Sequence, residues 1–153
     1  MKDAGAIFSD CGRYRYRLWR TWDPALPRLL WILYNPSTAD ASAEDPTLRR
    51  CIDFSRRWGF GGLTVVNHFA FRATNPRELN SISDPIGPEN HDHLNHALDT
   101  HEEVLCAWGL QGGAIARHMT PGTHRVFHLG LNQDGSPKHP LYLPASTDLH
   151  AWP

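Results

Sequence analysis

The chain has 153 residues and a net charge of −1, enough length for a single domain, 1–153, with its own core. Its three cysteines, Cys11, Cys51 and Cys106, lack CxxC spacing, which argues against disulfides and all-cysteine metal or iron–sulfur centres, so no cofactor is expected. No apolar run approaches the roughly 18 residues of a membrane span, and MKDAGAIFSD is too polar and short for a signal peptide; a cytoplasmic protein with no membrane partner is expected.

Charge is unevenly spread. Residues 1–77 hold twelve Lys+Arg against seven Asp+Glu, whereas residues 78–153 hold three against nine. Arg outnumbers Lys thirteen to two, and its planar fork suits phosphates and carboxylates. A basic face is compatible with nucleic acid, and salt bridging between the halves accounts for it equally well.

Residues 1–12 are expected to be a loose N-terminal segment. Residues 13–17 alternate, with Arg13, Arg15 and Arg17 on one side and Tyr14 and Tyr16 on the other. This predicts an edge strand with a solvated basic face. Residues 29–34 are almost continuously apolar, as in a central strand buried on both faces. That run ends abruptly in Asn35-Pro36-Ser37-Thr38. In open α/β sheets ligands bind beyond the carboxyl ends of strands, so this loop is a candidate site, although Asn-Pro also opens ordinary turns.

Asp45-Pro46 predicts an N-cap followed by proline at the first helical position. Leu48, Cys51, Ile52, Ser55 and Trp58 share one face of that helix, with Arg49, Asp53 and Arg56 opposite and Arg50 and Arg57 bordering them. Gly59 stops it, and Gly61-Gly62 lead into a second buried strand, 63–67. After a polar, aromatic loop, 68–76, the pattern predicts a polar helix near 89–98 and a third buried strand at 103–108. A short helix near 113–118 and a fourth strand at 125–129 follow, then mostly loop over 130–153. Strands and helices alternating at this spacing predict an α/β fold, a three-layer α/β/α sandwich. Its core is a short, mainly parallel four-stranded sheet with an N-terminal edge strand.

Parallel strands align their carboxyl ends, so three polar segments should converge: Asn35 to Thr38, Asn67 in VVNHFAFRAT, and His139-Pro140 in GSPKHPLY. An Asn amide offers a donor and an acceptor, suited to bidentate reading of a base edge. A histidine can donate to a carbonyl that gains negative charge as a bond breaks. Tyr34, Phe69 and Phe71 supply candidate stacking faces. The arginines 13, 15 and 17, and 49, 50, 56 and 57, are candidate phosphate contacts or ordinary solvated faces. His91, His93, His96 and His101 contain a zinc-like spacing. Asp92 and His96 are equally an i,i+4 pair on a solvated helix. No metal is assigned.

The ordered series NPSTAD, DPTLRRC, VVNHFAFRAT, DPIGPEN, CAWG and HPLYL resembles the bacterial and phage family catalogued as domain of unknown function 1643, from about Arg13 to Trp152. More distantly the order is similar to the uracil-DNA glycosylase superfamily. That resemblance implies a glycosylase-like fold acting on nucleic acid or a nucleotide. It implies Asn35 as the water-positioning residue, Asn67 as the base reader and His139 as stabiliser of the leaving base, with Arg72 and Pro76 at an Arg-x-x-x-Pro. Tyr34, Pro36, Ser37, Thr38, Phe69 and Tyr142 would then line the substrate, and Arg49 and Arg50 would meet phosphates. Two departures stand out. Tyr34 and Ser37 occupy loop positions where the superfamily prefers glycine, and His-Pro-Ser-Pro becomes His139-Pro140-Leu141-Tyr142. Two functions are therefore carried forward: an N-glycosidic hydrolase, and a binding module of the same fold that recognises a nucleotide or modified base without cleaving it.

Overall fold

The computed structural model describes residues 1–112 and 124–152. Its strands are β1 (Asp3–Phe8), β2 (Arg15–Thr21), β3 (Arg28–Leu33), β4 (Gly62–Asn67), β5 (Glu103–Cys106), β6 (Arg125–His128) and β7 (His150–Ala151); its helices are α1 (Pro46–Arg57) and α2 (Asn90–Thr100). The helix expected near 113–118 lies outside the described residues.

The strands form one sheet in the order β1-β2-β4-β3-β5-β6-β7. The four predicted core strands are its parallel centre, β4-β3-β5-β6. The sheet is nevertheless larger than the four strands and one edge expected. Residues 3–8, expected to be loose, pair antiparallel with β2 as a hairpin, and His150–Ala151 pairs with β6 at the far edge. Asp3–Phe8 lacks the polar–apolar alternation, and His150–Ala151 the length, that would announce a strand.

The two described crossover helices lie on opposite faces, giving three layers. On one face, α1 buries Leu48, Cys51, Ile52, Phe54 and Ser55 against a core that includes Trp31, Leu33, Leu63, Val65 and Leu105. On the other, Leu94 and Ala97 of α2 pack with Leu30, Ile32, Val66, Val104 and Cys106. β3, β4 and β5 read as unbroken apolar runs because both of their faces are covered. Each fully buried aliphatic side chain in them stabilises by about 1.5–3 kcal/mol. Helix α1 starts where predicted: Asp45 Oδ1 accepts from Leu48 N at 2.8 Å, and Pro46 fills the first turn. It ends at Gly59, whose φ of +88° is open to glycine at no steric cost.

The alternation read at 13–17 breaks down at one point. Ile7 pairs with Arg17 and Phe8 with Arg15, so Tyr16 is an extra residue on β2, a β-bulge. The bulge shifts Arg15 to the opposite face from Arg17. Arg17 Nε donates to His93 Nδ1 at 3.1 Å on the α2 side, whereas Arg15 Nη1 donates to Ala39 O at 3.1 Å on the α1 side. The predicted solvated basic stripe is thus overturned at Arg15, which is only 4% exposed.

Candidate functional site

From β3 the chain crosses to β4 on one side, and from β4 it returns to β5 on β3's other side. The topological switch point therefore lies between the carboxyl ends of β3 and β5, where open α/β sheets form ligand crevices. A cleft of about 490 Å³ opens there. Tyr34 and Asn35 enter it from the end of β3, Trp108 and Gly109 from the end of β5, and Lys138, His139 and Tyr142 from the chain after β6.

Asn35 is held by its amide nitrogen, which donates to Ala73 O at 2.7 Å and to Pro36 O at 3.0 Å. Its Oδ1 is thereby left as an acceptor beside the cleft, with the amide orientation assigned from these bonds. Gly109, at φ +80°, turns the chain after β5, and its N–H donates to Pro137 O at 2.9 Å. A Cβ on Gly109 would lie 3.5 Å from His139 Cβ, so this turn carries the histidine against the β5 loop. His139 caps a short 3₁₀ turn, Pro140–Tyr142, with Nδ1 accepting from Leu141 N at 3.2 Å. Burial pushes its pKa down to about 4, against a weaker upward pull from Asp45. The ring is neutral at pH 7, and with Nδ1 accepting, its proton sits on Nε2.

Other predicted site residues have different surroundings. Asn67 is 1% exposed; its Oδ1 accepts from Arg15 Nη2 at 3.5 Å and its Nδ2 has no partner among the described residues. It keeps the parity of Leu63 and Val65, so it points to the α1 side, toward Arg15. Phe69 packs edge-on against Tyr34, ring centroids 5.1 Å apart, and so backs a cleft wall. Tyr142 is 84% exposed at the rim, its ring 6.0 Å from that of His139. Arg72 lies over the Phe8 ring and donates to Gly12 O at 3.3 Å. With Ser37 and Thr38 it borders a separate shallow groove. Pro36 is buried, its carbonyl accepting from Ala73 N at 3.0 Å, and Pro76 lines the main cleft. Arg49 is exposed on α1. The Arg50 guanidinium lies 5.2 Å from the Phe54 ring centroid, and Arg56 and Arg57 engage Trp22 and Asp148.

The histidines of α2 do not gather into one site. His93 stacks on Tyr16, and His101 bridges Ala97 O and Thr64 Oγ1 at 2.8 and 2.9 Å. Among the described residues, no three His, Cys, Asp or Glu side chains stand together as metal ligands.

Several site residues escape the sequence patterns. Behind the Asn-Pro-Ser-Thr loop lies a small cavity of about 50 Å³, lined by Arg15, Asn35, Ser37, Asp45, Thr47 and His139 among others. Asn35 and His139 line both this cavity and the main cleft. Burial lowers the pKa of Arg15 to about 10, with Asp45 opposing that shift. Trp108 reads as plain strand, yet it is part of the cleft lining. Gln111 and Asn132 add amides to the lining from loops without a motif.

A larger cavity, about 720 Å³, sits at the opposite edge of the parallel strands and includes Arg17, Trp19, Arg28, Thr64 and His101. Several of its polar groups are hydrogen-bonded: Trp19 Nε1 to Asp3, Arg28 Nη2 to Thr21 Oγ1, and His101 to Thr64.

No helix among the described residues is long and apolar enough to cross a membrane. No curated protein and no solved structure matches the chain significantly. A family model described as Protein of unknown function (DUF1643) matches residues 15–141, a span that runs from the buried Arg15 through the Asn-Pro-Ser-Thr loop to the His139 turn, and the chain belongs to that family.

Proposed function

We propose that the protein is a nucleobase-directed hydrolase that cleaves an N-glycosidic bond in a nucleotide or nucleic acid, with a chemistry like that of the uracil-DNA glycosylases. The observation that carries this reading is that Asn35 and His139 together line one cleft at the switch point. Each is fixed by a bond on its far atom, Asn35 through Nδ2 and His139 through Nδ1, and each has a complementary atom left for a ligand. Asn35 Oδ1 accepts from a water. Neutral His139 donates from Nε2 to the carbonyl of a base that gains negative charge as it departs. Tyr34, Trp108 and Tyr142 supply aromatic surface for the ring. In this reading the base edge meets Gln111 and Asn132, because Asn67 is buried on the α1 side.

The test is a panel of nucleosides, nucleotides and modified-base oligonucleotides, scored for free base and for abasic sites. Release by the wild-type protein that is lost in Asn35→Ala is the expected result. If no member of the panel is cleaved, the hydrolase reading fails.

One observation favours a second reading, a module that binds a nucleotide or modified base without cleaving it. Tyr34 and Ser37 stand in place of loop glycines, and the Tyr34 ring forms part of the cleft wall where a sugar-phosphate would approach. Saturable binding of a panel member with no product would establish that alternative.

A further inference from the structure

The cavity behind the Asn-Pro-Ser-Thr loop has the volume and polarity of a water site. Its roughly 50 Å³ has room for one or two waters, and its walls offer several polar partners. Arg15, turned inward by the Tyr16 bulge, is 4% exposed and forms no ion pair within 4 Å among the described residues. Its Nε has no partner there, and one of its two bonds, to Asn67, is long at 3.5 Å. A buried guanidinium left this incompletely bonded strongly favours a water beside it. Asp45 faces the same space. Each of its oxygens accepts one backbone N–H, Leu48 N at 2.8 Å and Ala39 N at 3.2 Å, so a lone pair remains on each. Asn35 and His139 line both this cavity and the main cleft. These shared residues set the space beside Asp45 directly next to the main cleft.

We infer that Asp45 is the proton acceptor for the attacking water, a role that the Asn35 amide is too weak a base to fill. This rests on the hydrolase reading. In the step, the water oxygen bonds to the anomeric carbon as the carbon–nitrogen bond breaks. The bonding pair leaves with the base, which His139 stabilises, and the water's proton passes to the Asp45 carboxylate. Arg15 donates to the same water and orients its lone pair toward the cleft.

The experiment pairs kinetics with a crystal structure. Asp45→Asn keeps the capping bond to Leu48 N and loses the acceptor for Ala39 N, so its melting temperature is measured beside its activity, and base release from the panel member cleaved by wild type should fall at least 100-fold in the folded variant. Asp45→Ser, which also caps, should show the same loss and replaces the Asn variant if that one is unstable. Equal release by both variants and wild type overturns the role of Asp45 and leaves the hydrolase reading standing. No release by wild type overturns that reading and the proton step with it. A high-resolution structure of the free protein decides the water independently of activity. A water within hydrogen-bond reach of Asp45 and of Asn35 or Arg15 is expected, and solvent in the cavity that does not touch Asp45 overturns the inference.

Discussion

The two edges of the parallel strands differ in a way that volume alone would misrank. The cavity at the amino-terminal edge is the larger, about 720 Å³ against about 490 Å³, yet several of its polar side chains, those of Trp19, Arg28, Thr64 and His101, are hydrogen-bonded within the protein. At the carboxyl edge, Arg15 Nε, Asn67 Nδ2, Trp108 Nε1 and both ring nitrogens of His68 are buried without partners among the described residues. Buried polar groups cost stability unless they are bonded, and natural folds leave few such groups unpaired. These are five of the ten such atoms among the described residues, the others being on Tyr16, Arg50, Trp58, Asn90 and His124, and the edge that holds these five is also the one where the topology forms a crevice. Unmet hydrogen-bonding capacity, taken with the topology, supports placing the proposed site at this edge rather than in the larger cavity.

The comparison breaks most decisively if the wrong edge carries the chemistry. Asn35→Ala and His139→Ala should each lower base release by about 10²–10³-fold, the loss typical of removing one positioned polar group. Arg28→Ala, at the opposite edge, should leave release within about twofold, even though it deprives the buried Thr21 Oγ1 of its partner and so costs about 1–3 kcal/mol of stability. Initial rates on one cleaved substrate, measured for all three variants, check this. A larger loss in Arg28→Ala than in Asn35→Ala would move the site to the other edge.

The two edges were not equally legible in the sequence. The central strands could be read because burial on both faces leaves uninterrupted apolar runs, and α1 because Asp45-Pro46 and Gly59 mark its ends. The meeting of Asn35 with His139 followed from parallel strands sharing one carboxyl edge. Asn67 ends such a strand as well, but the two-residue side-chain period sends it to the α1 side with Leu63 and Val65. Arg15 was beyond reach for a related reason. A bulge inserts one residue and reverses the parity of what precedes it, and nothing in RYRYR reveals that Tyr16 is the extra one. Asp45 was recognised as a cap, and its second surroundings, beside Arg15 and His139, depend on long-range packing that local spacing does not encode.

Acid should expose the unpaired edge. Burial holds His68 near pKa 4, against about 6.5 in an unfolded chain, so between those values the unfolded state binds the extra proton. The stability contributed by neutral His68 is complete above about pH 6.5 and is lost as pH falls toward 4. His139, depressed to about 4 by the same cause, adds a second contribution of the same sign. Chemical denaturation of wild type across this window should show a decline on the order of 2–3 kcal/mol per histidine at its lower end. His68→Phe should remove one share of that slope, and an unchanged slope would mean that His68 titrates normally.

The smallest effect gives the sharpest contrast, because one substitution should have opposite signs at the two edges. His101→Phe removes the partner of Thr64 Oγ1, a side chain only 5% exposed, and leaves its hydroxyl unpaired. Loss of a satisfied buried bond costs about 1–3 kcal/mol. His68 has no bond to lose from either ring nitrogen, and its ring already packs edge-on against Trp108 with centroids 4.7 Å apart. His68→Phe keeps that aromatic contact and removes two unbonded polar atoms from the interior, so at neutral pH it should stabilise by up to about 1 kcal/mol. Melting temperatures at pH 7.5 would then rise for one phenylalanine and fall for the other. A fall at both positions would mean that the His68 nitrogens are bonded in solution, and the distinction drawn between the two edges would lose its main support.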